Sequence, residues 1–230
     1  KGFSISPHGD IVMRVGKNIN IYDTGGKIKR KHIVKGFIHG GGSPVMDKWG
    51  NLYAATTLRH WPYPPVFRHG GPPTSRYLVT YGSVVKFPPE GGELLRKPLE
   101  HAGPWPAGEK QKGVRLFSQN SKEGFAVNAC WVRSGFTTAP SGGNICDCYT
   151  NRFAVDYYGR TFIPDNGRFC VRVVDANNNP LMEFGDYGNE DSAGPGSRIP
   201  CPDIPLSWPC AVSVGKSGVY VSDFINRRIV

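Results

Sequence analysis

The 230-residue chain carries 30 glycines, 20 prolines and 12 % aromatic residues, a mix that suits short strands joined by tight turns and excludes a mainly helical protein. No segment keeps a 3.6-residue apolar period, and no apolar run approaches the roughly 18 residues of a membrane span. The net charge of +10 points to anionic polysaccharide, acidic protein or nucleic acid as contacts, or to a basic surface without a dedicated partner. The basic residues are dispersed; the densest run, Lys27-Ile28-Lys29-Arg30-Lys31-His32, reads as a solvated strand or turn.

In chain order, Phe3–Ser6 alternates, Pro7-His8-Gly9-Asp10 turns, and Ile11–Val15 is a strand. Ile19-Asn20-Ile21-Tyr22 alternates strictly before the turn Asp23-Thr24-Gly25-Gly26, with Ile33–Phe37 as an outer strand. Pro44–Ala55 opens a second unit: an apolar pair, Asp47, two residues, Gly50, then a strand. Leu58 to Arg76 reads as a long insertion rich in proline, histidine and aromatics, the kind of loop that is often functional. Tyr77–Phe87 resumes as strand and Pro88–Gly92 turns. Residues 101–150 are the least regular, with a strand expected at Ala126–Arg133.

The clearest unit is Asn151–Gly188. Short apolar runs at Phe153–Val155, Thr161–Ile163, Phe169–Val174 and Leu181–Phe184 are separated by Tyr157-Tyr158-Gly159, Asp165-Asn166-Gly167 and Asp175–Asn179. Four short antiparallel strands in about forty residues is the size of one propeller blade. Ala211–Val214, Val219–Val221 and Arg228–Val230 give a last half-blade.

The segment Gly218-Val219-Tyr220-Val221-Ser222-Asp223-Phe224-Ile225-Asn226-Arg227-Arg228-Ile229-Val230 resembles the core of an NHL repeat, with Asp223, Asn226, Arg228 and Ile229 in the family's places. Residues 151–188 resemble the same repeat with Asp165 at the Asp position, while Arg168 and Cys170 depart from it. The pieces at Gly82–Gly92, Cys146-Asp147-Cys148 before Asn151–Arg160, and Phe184–Asn189 are similar to secreted NHL-repeat proteins of environmental bacteria, a group that brings no assigned chemistry. The resemblance implies one all-β domain over 1–230, an NHL-type β-propeller with four to five blades covered and six in the complete ring. Neighbouring segments or another chain would then close the ring, and the chain, which starts at Lys1, reads as a processed product or part of something longer. Asp165, Asp223 and Asn226 read as structural turn-formers, because short polar side chains bond to backbone at tight turns.

The six cysteines, Cys130, Cys146, Cys148, Cys170, Cys201 and Cys210, allow complete pairing and favour an oxidising, extracellular or periplasmic location. Cys201 with Cys210, across a proline-rich loop, is the preferred disulfide; Cys130 with Cys146 or Cys148 is another; Cys170, in an apolar strand, reads as a buried free thiol. No zinc spacing, haem-attachment motif, nucleophile elbow or phosphate loop occurs. No cofactor is predicted. Some NHL propellers are lyases that hold zinc with histidines from several blades, so His39, His60, His69 and His101 are candidate ligands for a divalent metal if the chain is a lyase or hydrolase. Trp61, Tyr63, Arg68, Trp105 and Trp208 are candidate ligand contacts on the loops, against the alternative that the rings pack the loops down. The expected function is a non-enzymatic secreted binding or scaffold module for protein or anionic polysaccharide; the alternatives are a metal-dependent propeller enzyme and an RNA-binding NHL domain, the last disfavoured if the cysteines pair.

Overall fold

The structure, a computed structural model, describes residues 2–36, 42–60, 81–96, 113–117, 123–137, 151–189, 192, 198 and 201–230. Alternation of apolar side chains in short segments dictates strands, and the described residues form only strands and turns apart from a single 3-10 position at Ser192. None of them form a helix long and apolar enough to cross a membrane.

The first sheet begins as an antiparallel meander of β1 (Phe3–Ile5), β2 (Ile11–Val15), β3 (Asn18–Tyr22) and β4 (Ile28–Gly36). The second sheet is β5 (Val45–Met46), β6 (Leu52–Thr56), β7 (Tyr81–Phe87) and, as its outer strand, β11 (Trp131–Thr137). Between β7 and β11 the chain leaves to make β8 (Gly92–Arg96), β9 (Gly113–Phe117) and β10 (Glu123–Val127), which extend the first sheet through a parallel β4–β8 seam with Val34 opposite Gly92. The third sheet is β12 (Ala154–Val155), β13 (Thr161–Asp165), β14 (Cys170–Val174) and β15 (Pro180–Phe184). A short parallel pair, β16 (Asp186–Tyr187) with β17 (Pro205–Leu206), leads to the fourth: β18 (Pro209–Val214), β19 (Val219–Asp223) and β20 (Arg228–Ile229).

The sheets stack face to face in sequence order, and period-two geometry explains how. On β6, Leu52 and Ala54 join a core shared with Val12, Ile19, Ile21 and Val34 of the first sheet. Their neighbours Tyr53 and Ala55 point the other way, to Phe153, Ile163 and Val174 of the third. Phe162, Val171 and Val173 then face Leu206, Val212 and Val221. A strand buried on both faces has no polar side, which is why LYAAT and TFIPD are buried throughout.

The innermost strands run side by side. Ser4 Oγ donates to Pro44 O (2.5 Å), and beside β12 the backbone at Arg152 bridges in parallel to Ala211 through Arg152 N to Cys210 O (2.7 Å) and Val212 N to Arg152 O (2.9 Å). Radial meanders with adjacent parallel inner strands make an all-β propeller arc of four blades, three of them four-stranded before the insert is added and the last three-stranded. Among the described residues no strand pairing joins β20 to the first sheet.

Two expectations need correction. The strand expected at Ala126–Arg133 is two strands in two different sheets, broken at Asn128, whose φ is +60°. The Cys201–Cys210 disulfide does not form: both are free thiols. The Cys210 side chain turns toward the neighbouring strand, with Sγ 3.4 Å from Ser222 O, while Cys201 is exposed with Sγ against Pro202 O. Cys130 is also free and exposed, and its expected partners Cys146 and Cys148 lie outside the described residues. Cys170 is free and fully buried.

Candidate binding face at the inner turns

One five-residue turn recurs along the arc: Ser6–Asp10, Asp23–Lys27, Asp47–Asn51, Asp156–Arg160 and Asp175–Asn179. In each, the first residue's N–H donates to the fifth residue's carbonyl and the fourth residue's N–H donates back to the first carbonyl. The fourth position is left-handed throughout, which selects Gly9, Gly26, Gly50, Gly159 and Asn178. The first side chain caps the turn: Asp47 Oδ1 accepts from Trp49 N (3.0 Å) and Asn51 N (2.9 Å), and Asp156 Oδ1 from Tyr158 N (2.9 Å) and Arg160 N (2.8 Å). Because the blades are antiparallel meanders, all five turns, which join first to second or third to fourth strands, lie on the same face of the arc.

Positions one and four of this turn are set by backbone geometry; positions two and three are free to vary. In the turns between first and second strands of the second and third blades, those free positions hold Lys48-Trp49 and Tyr157-Tyr158. The three rings stay 51 % (Trp49), 64 % (Tyr157) and 67 % (Tyr158) exposed. They form one surface. Lys48 Nζ lies 3.6 Å from the Tyr157 ring centroid and 4.6 Å from that of Trp49, Tyr157 and Tyr158 meet edge to face at 5.7 Å, and Arg160 sits over Tyr158 at 5.4 Å. His8 extends the surface to the first blade through Nε2 to Lys48 O (2.8 Å).

The acids beneath are consumed by the turns. Asp47 is buried and also accepts from Asn51 Nδ2 (2.8 Å) and Tyr53 Oη (3.0 Å); Asp156 pairs with Arg160 Nε at 2.6 Å. Burial first, then the adjacent Asp47 carboxylate, pushes the Tyr53 hydroxyl well above its ordinary range, so it remains a donor. What the face presents outward is therefore rings and cations.

Of the sequence candidates for metal or ligand contact, only His60 and Trp208 fall among the described residues. The His60 backbone N–H donates to Ser134 Oγ (2.9 Å) and its ring Nε2 is 3.3 Å from Val132 O. His39, His69 and His101, and the loop contacts Trp61, Tyr63, Arg68 and Trp105, lie outside the described residues. Among the described residues no three His, Cys, Asp or Glu side chains are grouped to hold a metal ion. Trp208 is partly buried, its indole nitrogen 2.9 Å from the Asn166 side-chain amide.

Asp165, Asp223 and Asn226 do more than form turns. Asp223, buried, takes the backbone N–H groups of Ser207 (3.0 Å) and Trp208 (2.8 Å), so it fastens the entry of its own blade. Asn226 Nδ2 donates to Asp223 Oδ2 (2.6 Å) and to Gly188 O (2.9 Å). Asp165 accepts from Gly167 N (3.1 Å) and faces Arg172 Nε at 3.2 Å, and burial raises its carboxyl above the usual range against the pull of Arg172.

Trp49, Tyr157 and Tyr158 are not among the contact residues expected from the sequence. The signal was present in the match between 44–55 and 153–164, where aromatics fill turn positions that no backbone rule reserves for them.

Nothing among protein-family models or curated proteins matches the chain. Solved structures similar to it include a protein of unknown function from Bacteroides caccae (11 % identity, 100 % of this chain and 60 % of that one, TM-score 0.40). They also include an inactive virginiamycin B lyase variant from Staphylococcus aureus with quinupristin (11 %, 99 % and 64 %, TM-score 0.40). A third is the calcium-binding protein regucalcin from Agrobacterium tumefaciens (10 %, 96 % and 66 %, TM-score 0.33). This chain spans 60 to 66 % of the length of those three. At these identities and TM-scores the likeness carries neither activity nor ligand to this chain.

Proposed function

We propose that the chain is a non-enzymatic, secreted binding propeller of NHL type that holds anionic polysaccharide on the face built by Lys48, Trp49, Tyr157, Tyr158 and Arg160. The observation that carries this reading is the exposure of three rings on rigid, internally satisfied turns. Exposed rings offer apolar faces for the C–H surfaces of sugars at small entropic cost, since an aromatic side chain has two rotatable bonds to fix. The neighbouring ammonium and guanidinium, with their acidic neighbours tied into the turns, favour a ligand with carboxylate or sulfate groups.

Tyr220, Phe224, Ile225 and Ile229 of the fourth blade are exposed. They support the companion expectation that neighbouring strands, from another segment or another chain, cover that blade and complete the ring.

Titration of the protein with polygalacturonate, followed by tryptophan fluorescence and calorimetry, tests the reading. Saturable binding that weakens in Trp49→Ala supports it; an unchanged affinity in Trp49→Ala and Tyr158→Ala defeats it.

A further inference from the structure

A second charged site lies away from the ring face, between the outer strands of the second and third blades. A cleft of about 270 Å3 is lined there by Arg133 of β11, Arg172 and Val173 of β14, and Pro180, Leu181, Met182 and Glu183 of β15.

The two arginines are not equivalent. Arg172 is held through its Nη2, which donates to Ser134 O (3.0 Å) and Gly135 O (2.6 Å); its Nε lies 3.2 Å from the buried Asp165 carboxylate as an ion pair but, like that of Arg133, is shut off from solvent without a directed hydrogen bond. Gly135, with φ +107°, has no Cβ because one would collide with that guanidinium. Arg133, one residue from Ser134, has its Nε shut off from solvent without a hydrogen-bond partner. No carboxylate among the described residues pairs with Arg133. The one acid lining the cleft, Glu183, is taken by Arg168 at 2.9 Å.

Burial, and then the like charge of Arg172, lower the proton affinity of Arg133. A half-buried guanidinium beside a second one is an unfavourable arrangement on its own. It becomes favourable when an anion with two or more acceptor oxygens bridges the pair, because guanidinium forks match such anions in geometry. The far wall supplies a second requirement. Pro180, opposite Val174 on the face turned to the second blade, and the bulged Leu181, which is 52 % exposed, lie on the lining, so they offer an apolar surface to whatever carries the anion.

We propose that Arg133 and Arg172 form a binding site for a small oxyanion, a phosphate, sulfate or carboxylate group carried on a short apolar or sugar body that packs on Pro180 and Leu181. Arg172 is the fixed half of the site, oriented by Asp165 and the Gly135 carbonyl. Arg133 is the half that gains its partner on binding. The site does not rest on the ring-face reading: the two involve different residues and can fail separately.

The test is thermal unfolding of the full chain titrated with inorganic phosphate, sulfate or glucuronate, each against sodium chloride of equal ionic strength. Phosphate and sulfate against glucuronate separate phosphate-type from carboxylate ligands. The expected result is a midpoint rise with at least one oxyanion beyond that in chloride, with affinity reduced about tenfold or more in Arg133→Gln and partly kept in Arg133→Lys. Without ligand, Arg133→Gln should unfold at the same temperature or higher, since it removes a like-charge neighbour. Trp49→Ala should leave the response intact. No rise beyond chloride with any of the three anions, or an equal rise in Arg133→Gln, overturns the proposal. If Arg133→Gln does not fold, the wild-type chain decides: oxyanion must protect Arg133 from phenylglyoxal in peptide mapping, and equal modification with and without it overturns the site.

Discussion

The ammonium of Lys48 stands 3.6 Å from the ring centroid of Tyr157, so a side chain of the second blade's turn is seated on the third blade's turn. The same ammonium reaches Trp49 at 4.6 Å. This contact orients the rings rather than holding the fold, since exposed cation–π pairs contribute about 0.5–1 kcal/mol. Lys48→Ala is expected to change unfolding free energy by under about 1 kcal/mol while weakening polysaccharide binding and its dependence on salt. Paired denaturation and binding titrations at two salt concentrations check both parts.

The capping acids carry more of the stability. Asp47 is buried and accepts four hydrogen bonds, from Trp49 N, Asn51 N, Asn51 Nδ2 and Tyr53 Oη. Asp47→Ala strands those donors and is expected to cost about 3 kcal/mol. Asp223→Ala should cost a similar amount, about 3 kcal/mol, by freeing Ser207 N and Trp208 N. Chemical denaturation measures each loss; a loss below about 1 kcal/mol in both would contradict the anchoring role.

Thiol reactivity follows from burial. Cys130 and Cys201 are exposed and free, and Cys170 is fully buried. Alkylation with peptide mapping should label Cys130 and Cys201 in the native protein without reductant, and Cys170 only after unfolding. Protection of Cys201 until reductant is added would restore the disulfide expected from the spacing.

Stability should fall on the alkaline side. Desolvation, with Asp165 and Glu183 adding to it, raises the Cys170 thiol far above its ordinary 9.0, and burial with Asp47 raises Tyr53 above 10.0. Folding favours the protonated forms, so their contribution is fully present below about pH 9 and is lost as the unfolded chain's thiol and then its phenol ionise. Melting temperatures should therefore decline from about pH 9 upward, and Cys170→Ala should flatten the first part of that decline.

The insert is docked through a glycine. Gly91 has φ +84°, and a Cβ there would overlap the Ile33 carbonyl at the start of the parallel seam. Gly91→Ala is expected to destabilise the chain by about 2 kcal/mol or more, measured by the same denaturation, with the loss concentrated in hydrogen-exchange protection of β8 and β10.

Local chemistry made the blades legible in the sequence. Asp-x-x-Gly turns and period-two strands located Thr161–Ile163 and the whole 151–188 unit, and matched it to 44–55. The insert was not legible, because the β4–β8 seam joins Val34 to Gly92 across distant sequence in parallel, and such pairing leaves no local turn signal. Nor was the Arg133–Arg172 pair, which exists only because two blades pack face to face. Tyr157 and Tyr158 read only as a turn and Trp49 only as one of two residues between Asp47 and Gly50; the exposure of their rings depends on where the turn points, which a single strand pattern does not encode. The cysteine spacing misled because Cys210 faces Ser222 across the strand rather than Cys201.

The central claim is that the ring face binds anionic polysaccharide. Calorimetric titration of polygalacturonate into wild-type protein and a Trp49→Ala/Tyr158→Ala variant tests it most directly. A binding ring face gives saturable binding for the wild type, a loss of about tenfold or more in affinity for the variant, and unfolding midpoints that differ little between the two. Equal binding by both proteins, or no binding by either, would contradict it.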